Sequence, residues 1–270
     1  SPPKSSSLAG HPTLNQFFAR AKDLRMRVIS LVPSWTETLI ETGVDVVGRT
    51  RYCVHPEWRT TTLPVVGGTK DVDWEKVRAL NADLLVIDQE ENPKRFKAES
   101  PIPTLCTHVQ NIRTMGVELQ HLGRRLKNDK LLELGVQAMA RKLAPELSDW
   151  TKLPGVLEWW RPPEQGITKV LYMIWKNPWM TVSRQTYIGS MLTTIGIGKL
   201  MPEFQDKYPK ITLAEHISPS TLILFSSEPY AFAKEREELL QFNSPMALVD
   251  GESFSWFGIR SLRFLGSPQA

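Results

Sequence analysis

The chain has 270 residues, a formal net charge of +4 and 41% hydrophobic residues. This composition is typical of a soluble globular protein with one large or two smaller domains. The charge excess is small and no block of Lys or Arg stands out, which argues against nucleic-acid binding. No apolar run reaches the roughly 20 residues that would span a bilayer. The two cysteines are too few for a disulfide framework.

The N-terminal part is rich in Ser and Pro over residues 1–12, and this predicts disorder. We assign residues 1–26 to a leader and a first helical segment. The segment lacks the apolar stretch of a signal peptide. The chain is therefore expected to be either cytoplasmic or a mature form whose leader has been removed.

Short apolar, β-branched runs alternate with short helical patterns from residue 27 to residue 108. The predicted strands are RVISLVP, VDVVGRT, LPVVGG, ADLLVID and IPTLCTH. Two helices are predicted between them. SWTETLIETG has Ser34 or Thr36 as its cap and Gly43 as its stop, and DWEKVRALN has Asp73 as its cap. Strands that alternate with helices indicate a parallel, helix-covered sheet.

The middle of the chain is predicted to be helical, because its apolar residues recur with the helical period. We predict two helices between residues 110 and 150, the second of them long, and an irregular connection over 153–166. Strand patterns then return. The predicted strands and helices of this half are KVLYMIW, YIGSMLTTIG up to Gly196, ITLAEHI, STLILFS and MALVDG.

The two halves contain one similar unit. Residues 72–92 and 211–230 each combine a short helix carrying one Glu, an apolar strand and an acidic loop. A unit that occurs twice indicates two similar α/β lobes. We therefore predict two Rossmann-like lobes, with short parallel sheets flanked by helices. Their expected limits are 27–125 and 153–270, and one rigid backbone helix over 126–152 is expected to join them.

Several segments together resemble the helical-backbone substrate-binding proteins of metal-chelate ABC importers. They are RVISLVPSWTETLIETGVDVVGRT, VVGGTKDVDWEKVRALNADLLVI, NPWMTVSRQTYIGSMLTTIG, YPKITLAEHISPSTLILFSSEPY and DGESFSWFGIR. The resemblance implies a monomer that holds a corrinoid, haem or ferric siderophore between its lobes. It also implies delivery of this chelate to an ABC permease, a periplasmic or cell-envelope location, and no covalent cofactor.

Ligands of open α/β sheets bind at the carboxyl ends of the strands. The resemblance aligns Tyr52, Trp179 and Tyr208 with aromatic positions of a corrinoid pocket. Trp256 follows the last strand at the mouth of the cleft, and truncating Tyr52, Trp179 or Trp256 is expected to weaken binding. Packing against a sheet edge is the alternative role of such aromatics. The full set of predicted ligand-binding residues is Trp35, Tyr52, His55, Thr69, Lys70, Glu90, Glu91, Trp175, Trp179, Arg184, Tyr208, Glu228, Tyr230, Trp256 and Phe257.

Charged residues distinguish this chain from corrinoid-binding members of the family. Thr69 stands where those members have a tryptophan, and Glu90 and Glu91 replace residues that are not acidic. A cleft of this kind suits a smaller or charged chelate, unless the charges are solvated at the rim. The resemblance also implies that Glu75 and Glu215 dock the two lobes onto the permease. Ordinary exposed carboxylates are the alternative.

Both cysteines lie two residues before a histidine, in RYCVHPEW and LCTH. In an extended chain such residues point to the same side, so Cys53, His55, Cys106 and His108 could offer four ligands to zinc. The spacing differs from that of usual zinc sites, and no metal site is predicted. We expect the four side chains near the first lobe's side of the cleft.

Two other function classes remain open at the level of sequence. One is a cytoplasmic homologue of the same fold that binds or senses a cofactor or metal without a transporter. The other is a metal-dependent enzyme on this scaffold. The chain has no Ser-His-Asp order, P-loop, G-x-G-x-x-G or H-E-x-x-H pattern, so no enzymatic activity is predicted.

Overall fold

The computed structural model describes residues 25–164 and 166–266. Its first sheet is fully parallel, with strand order β2-β1-β3-β4. The strands are β1 (Arg27–Ser30), β2 (Asp45–Arg49), β3 (Leu84–Asp88) and β4 (Thr104–Thr107). All five residues of β3 are buried. Its run of apolar residues is what a strand covered by helices on both faces requires.

The helices of the first lobe are short. They are α1 (Pro33–Glu41), α2 (Glu57–Thr60), α3 (Trp74–Ala79) and α4 (Phe96–Glu99). The prediction of Asp73 as a cap is confirmed, because its side chain accepts hydrogen bonds from the backbone of Glu75 and Lys76. The predicted cap of α1 is wrong. This helix starts with Pro33 after Val32, and Thr36 lies inside it, where its hydroxyl donates to the Val32 carbonyl.

The predicted strand LPVVGG does not form a strand. Val65 makes a single bridge to Arg49, and Gly67 pairs with Val72. Gly67 has a φ of 140°, and a Cβ there would lie 2.2 Å from the Asp71 carbonyl oxygen. The chain therefore turns back on itself at this glycine before a ladder can extend.

A helical hairpin replaces the single helix that was expected over 126–152. Helix α5 (Ile112–Leu126) ends at Lys127, which has a left-handed φ of 50°, and Asn128 caps α6 (Asp129–Met139). The chain leaves the helical path after Met139. Pro145 has no backbone N–H and disfavours helix in the residue before it. At 15 residues, α5 is the longest described helix, and none of the described helices is long and apolar enough to cross a membrane.

The second sheet has strand order β5-β9-β8-β6-β7. Its strands are β5 (Val156–Arg161), β6 (Lys169–Trp175), β7 (Met180–Thr181), β8 (Thr221–Ser226) and β9 (Met246–Val249). The three central strands are parallel, and β5 and β7 are antiparallel edges. The irregular connection predicted over 153–166 is wrong for β5, because VLEWWR pairs with β9. Its apolar and aromatic residues favour a strand.

Four α-helices accompany the second sheet in the described residues. They are α7 (Tyr187–Thr194), α8 (Arg236–Leu239), α9 (Gly251–Ser255) and α10 (Ile259–Gly266). The predicted helix ITLAEHI is a single 3-10 turn, Leu213–His216. Gly196 follows α7 with a φ of 91°, as expected for a residue that ends a helix.

The last two helices connect the lobes. At the start of α10, the Ile259 N–H donates to the Thr38 hydroxyl of α1, at 3.1 Å. Gly258 permits this approach, because it has a φ of 95° and a Cβ there would lie 2.2 Å from the same hydroxyl oxygen. One apolar core contains side chains of both lobes, including Trp35 and Phe257. A shared core favours small movements between the lobes.

Candidate ligand-binding cleft

A cleft lies between the lobes, at loops that follow strands of both sheets. It contains a cavity of about 110 Å³. The first lobe contributes the loops after β3 and β4, and the second lobe contributes the start of α7, residues 207–208 and the end of α9. The lining residues are Glu90, Glu91, Val109, Gln110, Gln185, Thr186, Tyr187, Ile188, Lys207, Tyr208, Ser255 and Phe257. This position agrees with the general rule for ligands of open α/β sheets.

Buried hydrogen bonds hold the first-lobe loops in place. The Asp88 carboxylate accepts from the Thr107 hydroxyl at 2.6 Å and from the Val109 N–H at 3.1 Å. The Trp35 indole in turn donates to Thr107 at 2.8 Å. Burial raises the pKa of Asp88, while these hydrogen bonds oppose that shift. The loop that carries Glu90 thus rests on a network at the end of β3.

Buried Asn92 holds the same loop from its other end. Its amide donates to the carbonyls of Leu31, at 3.2 Å, and Thr69, at 3.0 Å. Its side-chain oxygen accepts from the Asp88 N–H at 2.9 Å. A single side chain therefore joins the ends of β1 and β3 and the loop after Gly67. Such a residue positions the cleft wall without lining the cavity.

Glu90 makes an ion pair across the cleft. Its Oε1 lies 2.8 Å from the Lys207 ammonium of the second lobe and 3.1 Å from His108 Nε2. Hydrogen bonding from Lys207, together with His108, lowers the pKa of Glu90. About a third of each of these three side chains is exposed. The pair therefore closes the cleft at a solvent-accessible point.

A second, more buried cluster of charges joins the lobes near α1 and α10. The Arg260 guanidinium makes two hydrogen bonds of 2.8 Å with the Glu37 carboxylate. It also lies 3.0 Å from Glu252, which pairs with His55 Nε2 at 2.9 Å. The Glu37 side chain is 7% exposed and that of Arg260 is 22% exposed. The bidentate geometry makes this a strong and specific contact.

Trp256 and Glu228 lie beside this cluster. The Trp256 ring is in edge contact with His55 at 5.2 Å, and Arg260 lies over its face at 5.3 Å. Burial and the neighbouring Glu252 carboxylate raise the pKa of Glu228. The structure thus groups three predicted site residues, His55, Glu228 and Trp256, on one flank of the cleft.

The structure brings only part of the predicted site together around the cavity. Glu90, Glu91, Tyr208 and Phe257 are among its lining residues. Tyr52 does not line the cavity, and more than half of it is exposed, close to the Arg51–Asp71 ion pair.

Three predicted aromatics form a separate cluster in the second lobe. Trp175 contacts Tyr230 at 5.3 Å, Tyr230 contacts Phe232 at 4.6 Å, and Trp179 stacks on Phe232 at 6.3 Å. Lys176 lies 5.6 Å from the Trp179 ring and pairs with carboxylates of the adjacent helical segment. Trp179 and Tyr230 pack against the lobe's own core, Trp175 is 41% exposed, and none of the three lines the cavity.

The other predicted positions have clear structural surroundings. Trp35 is 0% exposed and lies in the core, so its surface is not available to a ligand in this conformation. The Thr69 carbonyl accepts from Asn92, and Lys70 donates to the Glu91 carbonyl. Exposed Arg184 pairs with Glu203 at 2.6 Å.

The two residues predicted to dock onto a permease both lie at the surface. The Glu75 side chain is 83% exposed and pairs with Arg78 within α3. Glu215 is exposed in the 3-10 turn after Thr212. Both carboxylates are therefore accessible to a partner.

The Cys and His pairs do not converge. Cys53 is buried and lies 3.1 Å from the hydroxyls of both Thr36 and Thr50, and burial raises its pKa. Cys106 is partly buried at the end of the first sheet. His55 and His108 pair with different carboxylates, as described above. Within residues 25–164 and 166–266, no three His, Cys, Asp or Glu side chains are grouped as a metal ion would require.

Sequence reasoning missed several residues that shape the cleft. They are Glu37, Asp88, Gln110, Gln185, Lys207, Glu252 and Arg260. Asp88 is the last residue of β3, and this position at a predicted strand end was a usable signal. Glu37 and Arg260 are 223 residues apart, and no local pattern relates them.

Solved structures of bilobal binding proteins match this fold over most of its length. The periplasmic vitamin B12-binding protein of Vibrio cholerae is 14% identical, with a TM-score of 0.62 over 89% of this chain and 94% of that chain. A periplasmic haem-binding protein of Roseiflexus is 17% identical, with a TM-score of 0.63 over 89% and 95%. The siderophore-binding protein of Vibrio cholerae with Fe3+-Desferal is 14% identical, with a TM-score of 0.64 over 89% and 95%.

No protein-family model and no curated protein sequence matches the chain. At these identities the structural likeness establishes the fold. The chain shares a two-lobe α/β fold with these solved binding proteins, and the predicted fold class is confirmed. The single long helix between the lobes is the exception, as described above.

Proposed function

We propose that this protein is a substrate-binding protein that holds a metal chelate between its two lobes. The observation that carries the proposal is the cleft itself. It lies at the loops after β3 and β4, where polar side chains of both lobes and aromatic side chains of the second lobe line it. The solved proteins with a similar fold include a vitamin B12-binding, a haem-binding and a siderophore-binding protein. This set of ligands supports a corrinoid, haem or ferric siderophore as the ligand class.

The size of the cavity defines what binding requires. Pockets for drug-sized ligands usually enclose about 300–1,000 Å³. The cavity here is about 110 Å³, so a whole chelate needs a more open cleft. The exposed Lys207–Glu90 pair is the contact that has to separate. The lobes share an apolar core that reaches the cavity wall at Val109, Tyr187 and Phe257, so a modest rotation and side-chain movement fit this fold better than a wide swing.

Delivery to an ABC permease extends the proposal. Glu75 and Glu215 are exposed on different lobes, and this suits contact with a partner that recognises both lobes at once. Reversing the charge of either residue should leave chelate affinity unchanged and weaken association with a solubilised permease. If both charge-reversed variants associate with the permease as strongly as the parent does, the docking role is contradicted. A cell-envelope location accompanies this part of the proposal.

Titration calorimetry with cobinamide, haem and ferric desferrioxamine B tests the binding proposal. Tyr208→Ala removes an aromatic side chain of the cavity wall. Stacking on one aromatic ring contributes roughly 1–3 kcal/mol in nucleobase complexes, and ~1.4 kcal/mol is a tenfold change in Kd. We therefore expect the substitution to weaken binding about tenfold.

Trp58→Ala is the matched control, because this aromatic is 70% exposed and does not line the cavity. Its affinity for the chelate should equal that of the parent. The proposal fails if none of the three chelates binds. It also fails if a chelate binds and the two variants retain the parent affinity.

A further inference from the structure

Four polar side chains on the cavity wall lack a side-chain partner among residues 25–164 and 166–266. Glu91 and Gln110 belong to the first lobe, and Gln185 and Tyr208 belong to the second. In the described part of the chain, no side-chain hydrogen bond or ion pair involves any of them, although the backbone N–H groups of both glutamines are bonded. Gln185 and Tyr208 are exposed and Glu91 and Gln110 are partly buried, so all four side chains can exchange water for the polar groups of a ligand. Their convergence on one cavity points to a hydrogen-bonding ligand.

The charged residues of the cavity wall indicate which charge the bound part of the ligand carries. Its charged residues are Glu90, Glu91 and Lys207, and Lys207 is already paired with Glu90. Glu91 makes no such ion pair within the described residues. Burial raises its pKa, the nearby Lys70 ammonium opposes this shift, and the Asp88 and Glu90 carboxylates add to it. A cationic group of the ligand would offset the free-energy cost of keeping the Glu91 carboxylate ionised in this partly buried place. A ligand carboxylate would add to that cost.

Tyr208 strengthens the preference for a cation. Burial and the carboxylates of Glu90 and Glu91 raise its pKa, which means that the phenol stays neutral close to both acids. A neutral phenol offers a hydroxyl oxygen as an acceptor and a ring face that attracts an ammonium group. The side-chain oxygens of Gln110 and Gln185 supply two more acceptors.

The cavity volume restricts the part of the ligand that this wall contacts. A water molecule occupies roughly 30 Å³ in the liquid, so about 110 Å³ corresponds to a few waters. This space suits an ammonium group with a short carbon chain and excludes a macrocycle. The remainder of a chelate would occupy the more open cleft.

We propose that this cavity is a subsite for a protonated amine, with Glu91 as the counter-ion and Tyr208, Gln110 and Gln185 as its other contacts. The inference rests on the proposed function, because the amine is placed on the arm of a bound chelate. It narrows the ligand to cationic chelates. An anionic chelate would bring its carboxylates against Glu90 and Glu91.

A pair of chelates that differ in one charge tests the subsite. Ferric desferrioxamine B carries a free protonated amine, and N-acetylation converts this amine into a neutral amide. We expect the parent protein to bind the amine form at least tenfold more tightly. Glu91→Gln should remove most of this preference. Glu133→Gln, an exposed carboxylate of α6 outside the cavity, is the matched control and should retain it.

Titration with 1,5-diaminopentane and 1,5-pentanediol separates the subsite from the chelate. Glu91-dependent binding of the diamine, without binding of any chelate, would support the subsite and overturn the proposed function. Chelate binding with no preference for the amine form, or with the same preference in Glu91→Gln, would overturn the subsite alone. Absence of binding by both chelates and by the diamine would overturn both.

Discussion

The ion pair between Glu37 and Arg260 should be the strongest single polar contact between the lobes. Removing one partner of a fully buried ion pair costs about 3–5 kcal/mol. Here Glu37 is 7% exposed, but Arg260 is 22% exposed and retains Glu252 at 3.0 Å. Some of the Arg260 charge is therefore still compensated after the change. We expect Glu37→Gln to lower the free energy of unfolding by about 2 kcal/mol.

Urea unfolding followed by tryptophan fluorescence measures this change. For a chain of this size, each kcal/mol corresponds to roughly 2–4 °C, so Tm should fall by about 4–8 °C. Glu75→Gln is the control, because it removes an exposed pair within one helix and should change stability by about 0.5 kcal/mol or less. If Glu37→Gln and Glu75→Gln lower the free energy of unfolding by the same small amount, the bidentate contact does not stabilise the association of the lobes.

Three further changes test other parts of the structure. Asn92→Ala should cost about 2 kcal/mol of stability, since it leaves buried backbone groups without partners, and urea unfolding checks this. Trp179→Ala should cost about 2 kcal/mol through lost packing on Phe232, whereas a tenfold loss of chelate affinity would support its sequence-based placement in the pocket. Glu90→Gln should be less stable than the parent at pH 7, and this difference should shrink as the pH is lowered into the acid range. The lowered pKa of Glu90 means that its contribution is present above its unfolded pKa of roughly 4.3 and is lost as pH falls.

The central strands of both lobes could be predicted because their signals are local. β3 and β8 are fully buried and consist largely of apolar residues, and both appear in the sequence as uninterrupted runs. The Asp73 cap is equally local, since the side chain and the N–H groups that it satisfies are two and three residues apart. The repeat of this strand-and-helix unit then indicates two lobes.

The errors in the fold prediction arise where tertiary contacts determine the local structure. The pattern over 126–152 has the helical period, yet Lys127 adopts a left-handed conformation and the chain forms a hairpin. Glycines at the hairpin interface allow this close packing, because a Cβ on Gly135 would lie 2.9 Å from the Gly116 carbonyl oxygen. β5 was missed for the opposite reason. Its composition favours a strand, but its partner β9 is about 90 residues later, and no local pattern reveals this pairing.

For the candidate site, the sequence could predict residues in loops next to predicted strand ends, but not the direction in which their side chains point. Glu90, Glu91 and Tyr208 were selected as loop residues near strand ends or by resemblance, and they do line the cavity. Trp175 and Trp179 were selected by the same logic, but their rings contact Tyr230 and Phe232. A strand end fixes where a residue lies, whereas neighbours from distant segments decide which way a large side chain packs.

The contacts between the lobes give the cleft two unequal sides. On one side, Lys207 meets Glu90 through side chains that are about one-third exposed, and solvent and salt screen such a pair. On the other side, Arg260 and Glu37 form a largely buried bidentate pair next to an apolar core shared by the lobes. Separating the first pair costs little free energy compared with separating the second. We therefore expect a ligand to enter by parting Lys207 from Glu90, at the cavity wall that also holds Glu91 and Tyr208, while the Arg260–Glu37 pair keeps the lobes in register.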